Sequence, residues 1–305
     1  IEIAYRKQLI KEGVLSFLGG KAELVSRGWF DDVDLCLMVH AMPAGTAGNA
    51  KVAFQSFNGC VVKEVRFIGK AAHAGAAPQD GINALYAANT ALTAMNGLRE
   101  TFREADCIRI HPIMTKGGDV LNVIPDDVRL ETFVRGRTFA AILQAARQFD
   151  RAMAGGALAL GCSVMIEDLP GAFPLHNDIG LVAVMQSVLE DLVAEHEVAD
   201  IGHTTASTDL GDLSTIMPVV QPLVGGVTGG LHEASYRIVD PDLAYLVSAE
   251  LLAGTAAALL AGKAEKAVRI IRDYKPLFQS RQEYLTHLRS LFRTKTYPNR
   301  DWEVD

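Results

Sequence analysis

Apolar positions along the chain change period several times, and the changes mark its elements. Ile1 to Lys11 has a helical mix, and the apolar run Gly13–Leu18 (GVLSFL) predicts a short buried strand. Lys21 to Arg27 predicts a helix, Phe30 to Asp34 a turn, and Leu35 to Val39 a second buried strand. Near-continuous apolar strands joined by a helix point to a parallel sheet covered on both faces. From Val61 the pattern changes. A strand (Val61 to Gly69) precedes a helix from about Asp80 to Leu98, and a strand follows around Cys107 to Met114. Val128 to Arg135 is the next strand, Thr138 to Met153 a helix, and Ser163 to Glu167 the last strand. This β-α-β-β-α-β order is the ferredoxin-like arrangement, and about a hundred residues suffice for a separate domain. After Pro170 come a helix (Asp178 to His196), a polar turn (Thr208 to Leu213), a strand (Val219 to Val227) and a long helix from Asp240 to Ala261. The simplest topology inserts one domain into another: residues 1–60 and 171–262 form an α/β domain, 61–170 the insert, and 263–305 a helical tail.

The 305 residues are 49% hydrophobic, with a mean hydropathy of +0.16, which is ample for two cores. The net charge of -7 and the lack of a basic run argue against nucleic acid as a partner. No apolar stretch of membrane-spanning length is free of charges and turn residues, and no signal peptide opens the chain, so no membrane partner is expected. Cys36, Cys60, Cys107 and Cys162 are far apart and form no CxxC pair. They read as buried thiols of a reducing compartment, which places the protein in the cytoplasm. No GxSxG, phosphate loop or GxGxxG followed by an acidic residue occurs, against serine hydrolases, phosphate-loop enzymes and dinucleotide enzymes.

Several polar residues interrupt the apolar pattern where chemistry could sit. His73 lies where a strand ends, among alanines and one glycine that let a bulky ligand approach, and Asp80 is placed to cap the following helix. His40 stands at the carboxyl end of a predicted buried strand, where open α/β sheets bind ligands. His232 follows two glycine pairs, Gly225-Gly226 and Gly229-Gly230, whose amides could face a carboxylate. Asn122 lies in the loop KGGDVLNVIPDD and Arg135 ends the next strand. Arginine's planar fork suits a carboxylate. Each of these alone also fits a structural role. His203, in HTTASTDLGDLSTIMP, is read as structural.

In combination they carry a resemblance. The string G-K-x-x-H-A-x-x-x-P-x-x-G-x-N-A, from Gly69 to Ala84, resembles the lid-domain signature of the M20 metallopeptidase and amidohydrolase family. GGKAEL with FDDVD, the NxIP string, STDLGDLS and GGVTGGLHEA resemble later segments of that family in the same order. The resemblance covers about Gly13 to Ala261 and is similar to the aminoacylase-like and aminobenzoyl-glutamate hydrolase-like branch. It implies an α/β, zinc-exopeptidase-like catalytic domain with an inserted ferredoxin-like lid that pairs two protomers into a homodimer. It further implies hydrolysis of the amide of a small N-acyl amino acid or dipeptide-like substrate on two divalent metals, zinc or manganese. His40 and His232 would be metal ligands and His73 the catalytic stabiliser of the oxyanion, reaching the neighbouring protomer's site. Asn122 and Arg135 would hold the substrate carboxylate, with Gly229 and Gly230 lining the pocket.

The chain also departs from the pattern. The family's early HxD or CGH segment is absent, and GVLSFLG runs directly into GKAEL where a G-T-P-A-E-E-G-G-G-G-K string with two glutamates is expected. Glu12 and Glu23 do not replace those glutamates. Two expectations follow. Either the 305 residues are the ordered part of a longer protein, interrupted near Gly19-Gly20, or the chain is a non-catalytic M20-fold binding or regulatory protein that has lost its metal centre.

Overall fold

The computed structural model of the chain describes residues 3–298. It opens with α1 (Ile3–Lys11) and α2 (Gly20–Ser26), followed by β1 (Cys36–Leu37), β2 (His40–Pro43), β3 (Val52–Phe57) and β4 (Gly59–Ile68). Asn83 starts α3 (Ala84–Leu98) by accepting from the amides of Leu85 and Tyr86. Next come β5 (Arg109–Ile110), β6 (Ile113–Lys116) and β7 (Asp127–Gly136). Thr138 caps α4 (Phe139–Ala159) through the amide of Ala141, and β8 (Ser163–Ala172) follows. Asp178 caps α5 (Ile179–Leu189), ahead of β9 (Val198–Thr204), the single turn α6 (Leu210–Leu213), β10 (Val219–Val220), β11 (Leu223–Thr228) and β12 (Arg237–Ile238). A π-helical segment, Asp242–Val247, runs into α7 (Ser248–Leu260), and the chain continues through α8 (Glu265–Asp273), α9 (Arg281–Ser290) and β13 (Arg293–Tyr297).

The chain divides into two units. Of the described residues, the first unit holds 3–19, 58–172 and 285–298, and the second holds 20–57 and 173–284. These bounds differ from the expected ones at both ends. Residues 3–19 fall with the inserted domain, and the tail is split at residue 285.

The first unit is the ferredoxin-like domain. Its antiparallel sheet runs β13-β8-β4-β7-β5, and β6 also pairs with β7. Both α3 and α4 lie on one face, because their buried residues share a core with Val61, Val65 and Phe67 of β4 and Val128, Leu130 and Val134 of β7. Ala84, Ala87, Ala88 and Ala91 are all fully buried, and a Cβ added to Gly156 would meet the Ala91 Cβ at 2.5 Å, so small residues set how closely the helices approach. Ile3, Leu18, Val62 and Leu169 form a second, smaller cluster, with Ile10, Phe133 and Phe292 packed on it.

One charged group sits inside this unit. Lys63 is 1% exposed, and its Nζ donates to Asp150 of α4 at 2.7 Å and to Asp168 of β8. Lys295 of β13 pairs with the same two carboxylates. Two cations and two anions thus balance where an unpaired charge would be costly.

The second unit has a mixed sheet, not the parallel one expected. Its order is β12-β11-β3-β9, with β2 also on β11; β2–β11 and β3–β9 are parallel, while β3–β11 and β11–β12 are antiparallel. β1 and β10 form a separate parallel pair. Val52, Phe54, Leu181, Met185, Val224, Leu251, Leu259 and Ile270 meet in its core. Asp242–Leu260 is, by length and composition, apolar enough to cross a membrane, at a mean hydropathy of 1.7. Asp242 begins it and Glu250 interrupts it, and Leu243, Leu251, Thr255 and Leu259 bury their side chains in this unit.

Other expectations are corrected. Gly13–Leu18 is no strand: Phe17 and Leu18 are buried, but the segment pairs with no strand and forms turns and bends. Asp80 does not cap α3; it ends a 3-10 turn, Pro78–Asp80. The strand expected at Cys107–Met114 is broken into β5 and β6 around Pro112, which has no N–H to donate. Pro222 similarly separates β10 from β11. α5 stops at Leu189, where Glu190 and Asp191 put negative charge at the negative end of the helix dipole.

Candidate functional site

The His73 loop is closed by backbone pairing at its base, where Lys70 and Ile82 exchange both hydrogen bonds at 3.0 and 2.9 Å. A Cβ on Gly81 would lie 2.6 Å from Ile124 Cδ1, so any larger residue there would have to displace the Ile124 side chain. His73 forms an isolated β-bridge with Val123, the amide of Ala74 donates to the Asn122 carbonyl at 2.9 Å, and that of Ile124 to Ala72 at 2.9 Å. The fold therefore brings His73 and Asn122 onto two adjacent, backbone-bonded loops. Beside them lies a cleft of about 470 Å³, lined by residues that include Ala74, Tyr86, Leu121 and Val123. The His73 side chain is exposed, and its Nδ1 accepts from the amides of Gly75 and Ala76.

Arg135 is not brought to this cluster. It sits near the far end of β7, opposite Cys60 of β4 and Arg109 of β5, with its guanidinium carbon 4.9 Å from the Phe133 ring centre. Eight residue steps along the strand separate it from Asp127, a span of roughly 26 Å. Asn122, whose carbonyl accepts from Ala74 beyond the Ile68–Asp127 end of the β4–β7 ladder, lies at the opposite end from Arg135.

In the second unit His40 opens β2, is exposed, and has its Nδ1 2.9 Å from the Ala41 carbonyl oxygen. Its amide donates to Pro222, and it lies in register with Leu223. His232 is also exposed and takes a left-handed backbone conformation, φ 66°. Around it the chain makes tight turns: Glu233 N donates to Gly230 O at 3.1 Å and Tyr236 N to Glu233 O at 3.1 Å. A Cβ on Gly229 would lie 2.4 Å from the Ser235 carbonyl oxygen, and one on Gly230 would lie 2.4 Å from the Glu233 carboxyl. The space beside Gly230 is thus taken by the chain's own carboxylate. His203 is bonded to Ser56 Oγ at 2.8 Å.

A two-metal centre does not fit these residues. Among the described residues no group of three or more His, Cys, Asp or Glu side chains could hold a metal ion. His40 and His232 are two potential donors without a bridging carboxylate, so no chemical step is assigned to a metal.

One titratable pair is not visible in the sequence pattern. Asp212, on α6 within STDLGDLS, is fully buried, and burial pushes its carboxyl up to about 7. Tyr284 of α9 faces it and is raised by burial and by that carboxyl. Neither Asp212 oxygen nor the Tyr284 hydroxyl has a well-formed hydrogen bond among the described residues. Lys21 of α2 is bonded to Asp209 nearby, at 2.5 Å.

Comparison with known proteins gives a consistent picture. Residues 58–157 match the family model of the peptidase dimerisation domain of the M20 peptidases. The Xaa-Arg dipeptidase of Mus musculus is 29% identical over 214 residues, which cover 67% of this chain and 46% of that protein. One of the subunits of the p-aminobenzoyl-glutamate hydrolase of Escherichia coli (strain K12) is 27% identical over 225 residues, 74% of this chain and 49% of that protein. The chain therefore spans less than half the length of each. Among solved structures, a dinuclear metal binding peptidase of the M20 family from Bacillus subtilis matches with a TM-score of 0.60 at 17% identity. That match covers 81% of this chain and 63% of the other, and it speaks to the fold.

Proposed function

Taking as premise that the chain carries the M20 peptidase dimerisation domain at residues 58–157 and has M20 amidohydrolases and dipeptidases as homologues, we propose that it serves amide-bond hydrolysis. The substrate would be a small N-acyl amino acid or dipeptide-like molecule, a class that the names of both relatives suggest. The observation that carries the reading is the backbone bridge joining the His73 loop to the Asn122 loop within that domain. In this reading His73 donates a hydrogen bond to the oxygen of the scissile carbonyl as charge develops there. Asn122 and Arg135 hold the substrate's carboxylate, Arg135 by charge-assisted bonds. Because β7 keeps these two apart in one chain, this reading assembles the pair from two copies, which the match to a dimerisation domain supports. Gly229 and Gly230 would line the substrate pocket. A zinc or manganese pair would need donors beyond His40 and His232. The four free thiols support a cytoplasmic protein, which cell fractionation would check.

A second reading is favoured by the lack of a ligand cluster among the described residues: an M20-fold binding or regulatory protein without a metal centre. One experiment separates the two. The purified protein is assayed on N-acyl amino acids and dipeptides with zinc or manganese and with a chelator, alongside elemental analysis and calorimetric binding. Metal-dependent turnover that His73→Ala abolishes supports hydrolysis. Binding of such ligands with neither metal nor turnover replaces it with the second reading.

A further inference from the structure

Two backbone amides converge on one ring nitrogen of His73. Gly75 N lies 3.2 Å and Ala76 N 3.1 Å from His73 Nδ1. A peptide N–H can only donate, so Nδ1 accepts, and an accepting ring nitrogen carries no proton. In the neutral imidazole the proton is then on Nε2. The frame around the ring is also fixed by the main chain, since Ala77 N donates to the His73 carbonyl at 3.0 Å and His73 bridges Val123.

We propose that Gly75 and Ala76 are positioning residues that hold His73 in its Nε2–H tautomer, so that its free nitrogen meets a ligand oxygen only as a donor. This rests on the reading of His73 as the group that approaches the scissile carbonyl, and it narrows that role. A general base needs a lone pair on the nitrogen that reaches the substrate, and Nε2–H has none. A donor to a carbonyl or carboxylate oxygen needs the proton already there. The ligand atom that His73 takes is therefore an acceptor oxygen.

Ring nitrogen shifts of the uniformly 15N-labelled full chain test this at about pH 9, above the ordinary imidazole range. The His73 spectrum is expected to show a protonated Nε2 and an unprotonated, accepting Nδ1. The reverse pattern, or the averaged pattern of a free imidazole, overturns the proposal. Ala76→Pro removes one donor and is expected to move the signals toward that average. Gly75→Ala keeps its N–H, and its new Cβ would lie an ordinary 3.7 Å from the ring's Cε1, so the signals should stay. Should Ala76→Pro fail to fold, the wild-type spectrum still decides. The test is independent of turnover. A fixed tautomer with no effect of His73→Ala on hydrolysis would defeat the functional reading alone, and a mixed tautomer in an active, His73-dependent enzyme would defeat this proposal alone.

Discussion

Asp212 shows how a single residue couples the second unit to pH. Its carboxyl is raised from 3.8 to about 7, chiefly because burial disfavours the charged form, with Asp209 adding to the rise and Tyr284 and Lys21 opposing it. Below pH 3.8 both folded and unfolded chains hold the proton. Between 3.8 and 7 only the folded chain does, so stability falls as pH rises, by up to about 1.4 kcal/mol per unit. Above 7 the loss levels off. Asp212→Asn is expected to remove this slope and to raise the urea midpoint at pH 8 more than at pH 5; equal shifts at both pH values would contradict it. The motif STDLGDLS was visible in the sequence, but Asp212's burial was not, because Phe173 and Tyr284 close over α6 from positions far along the chain. Arg135 carries a second residue-level expectation. If it binds the substrate carboxylate, Arg135→Ala should cost about 3 kcal/mol with free-acid substrates, roughly 100-fold in kcat/KM. Amidated substrates should be weakened already in the wild type and little further by the mutation.

At the scale of elements, the packed pieces of the first unit explain what the sequence could and could not show. The alternation in β7 was readable because one face is buried under α3 and α4, whereas the first half of β4 is buried on both faces, with Val62 in the smaller cluster. Strands β3, β9 and β13 were not identified: β13 reads RTKTY, and its placement depends on pairing with β8 and on Lys295 reaching Asp150. GVLSFL misled in the opposite direction, since a short apolar run has the same pattern whether it pairs in a sheet or only anchors a turn. At the start of α3 the cap is Asn83 and not the expected Asp80: its side chain accepts from the amides of Leu85 and Tyr86, while Asp80 ends the preceding 3-10 turn. The Lys63 network gives a direct test. Lys63→Ala leaves Asp150 buried beside Lys295 alone and should cost roughly 3–5 kcal/mol in denaturant unfolding. Lys63→Met with Asp150→Leu leaves Lys295 with Asp168 and removes one charge of each sign. The double variant should therefore be more stable than Lys63→Ala, and an additive loss would show that the four charges do not act as a network.

At the scale of the whole molecule, the question is what covers the open edge of the first unit's sheet. β6 and the loop after it carry Ile113, Met114, Val120, Leu121 and Val123, all exposed, with Ile113 at 61% and Leu121 entirely open. An uncovered edge bearing apolar side chains is a template for pairing with another chain. The match to a dimerisation domain spans this edge, and under the proposed roles of Asn122 and Arg135 such pairing would bring the two residues to one site. Light scattering at micromolar concentration should give a dimer, and Ile113→Lys with Leu121→Asp should give a monomer with an unchanged far-ultraviolet spectrum. Mixing chains decides whether the dimer also shares a site. Let one chain carry Asn122→Ala and the other Arg135→Ala. If each site takes Asn122 from one copy and Arg135 from its neighbour, every mixed dimer has one doubly impaired site and one intact site. Half of the dimers are mixed at equilibrium, so about a quarter of wild-type turnover should return on mixing two nearly inactive proteins. If both residues served a site within one chain, each site would keep its single defect and mixing would restore nothing.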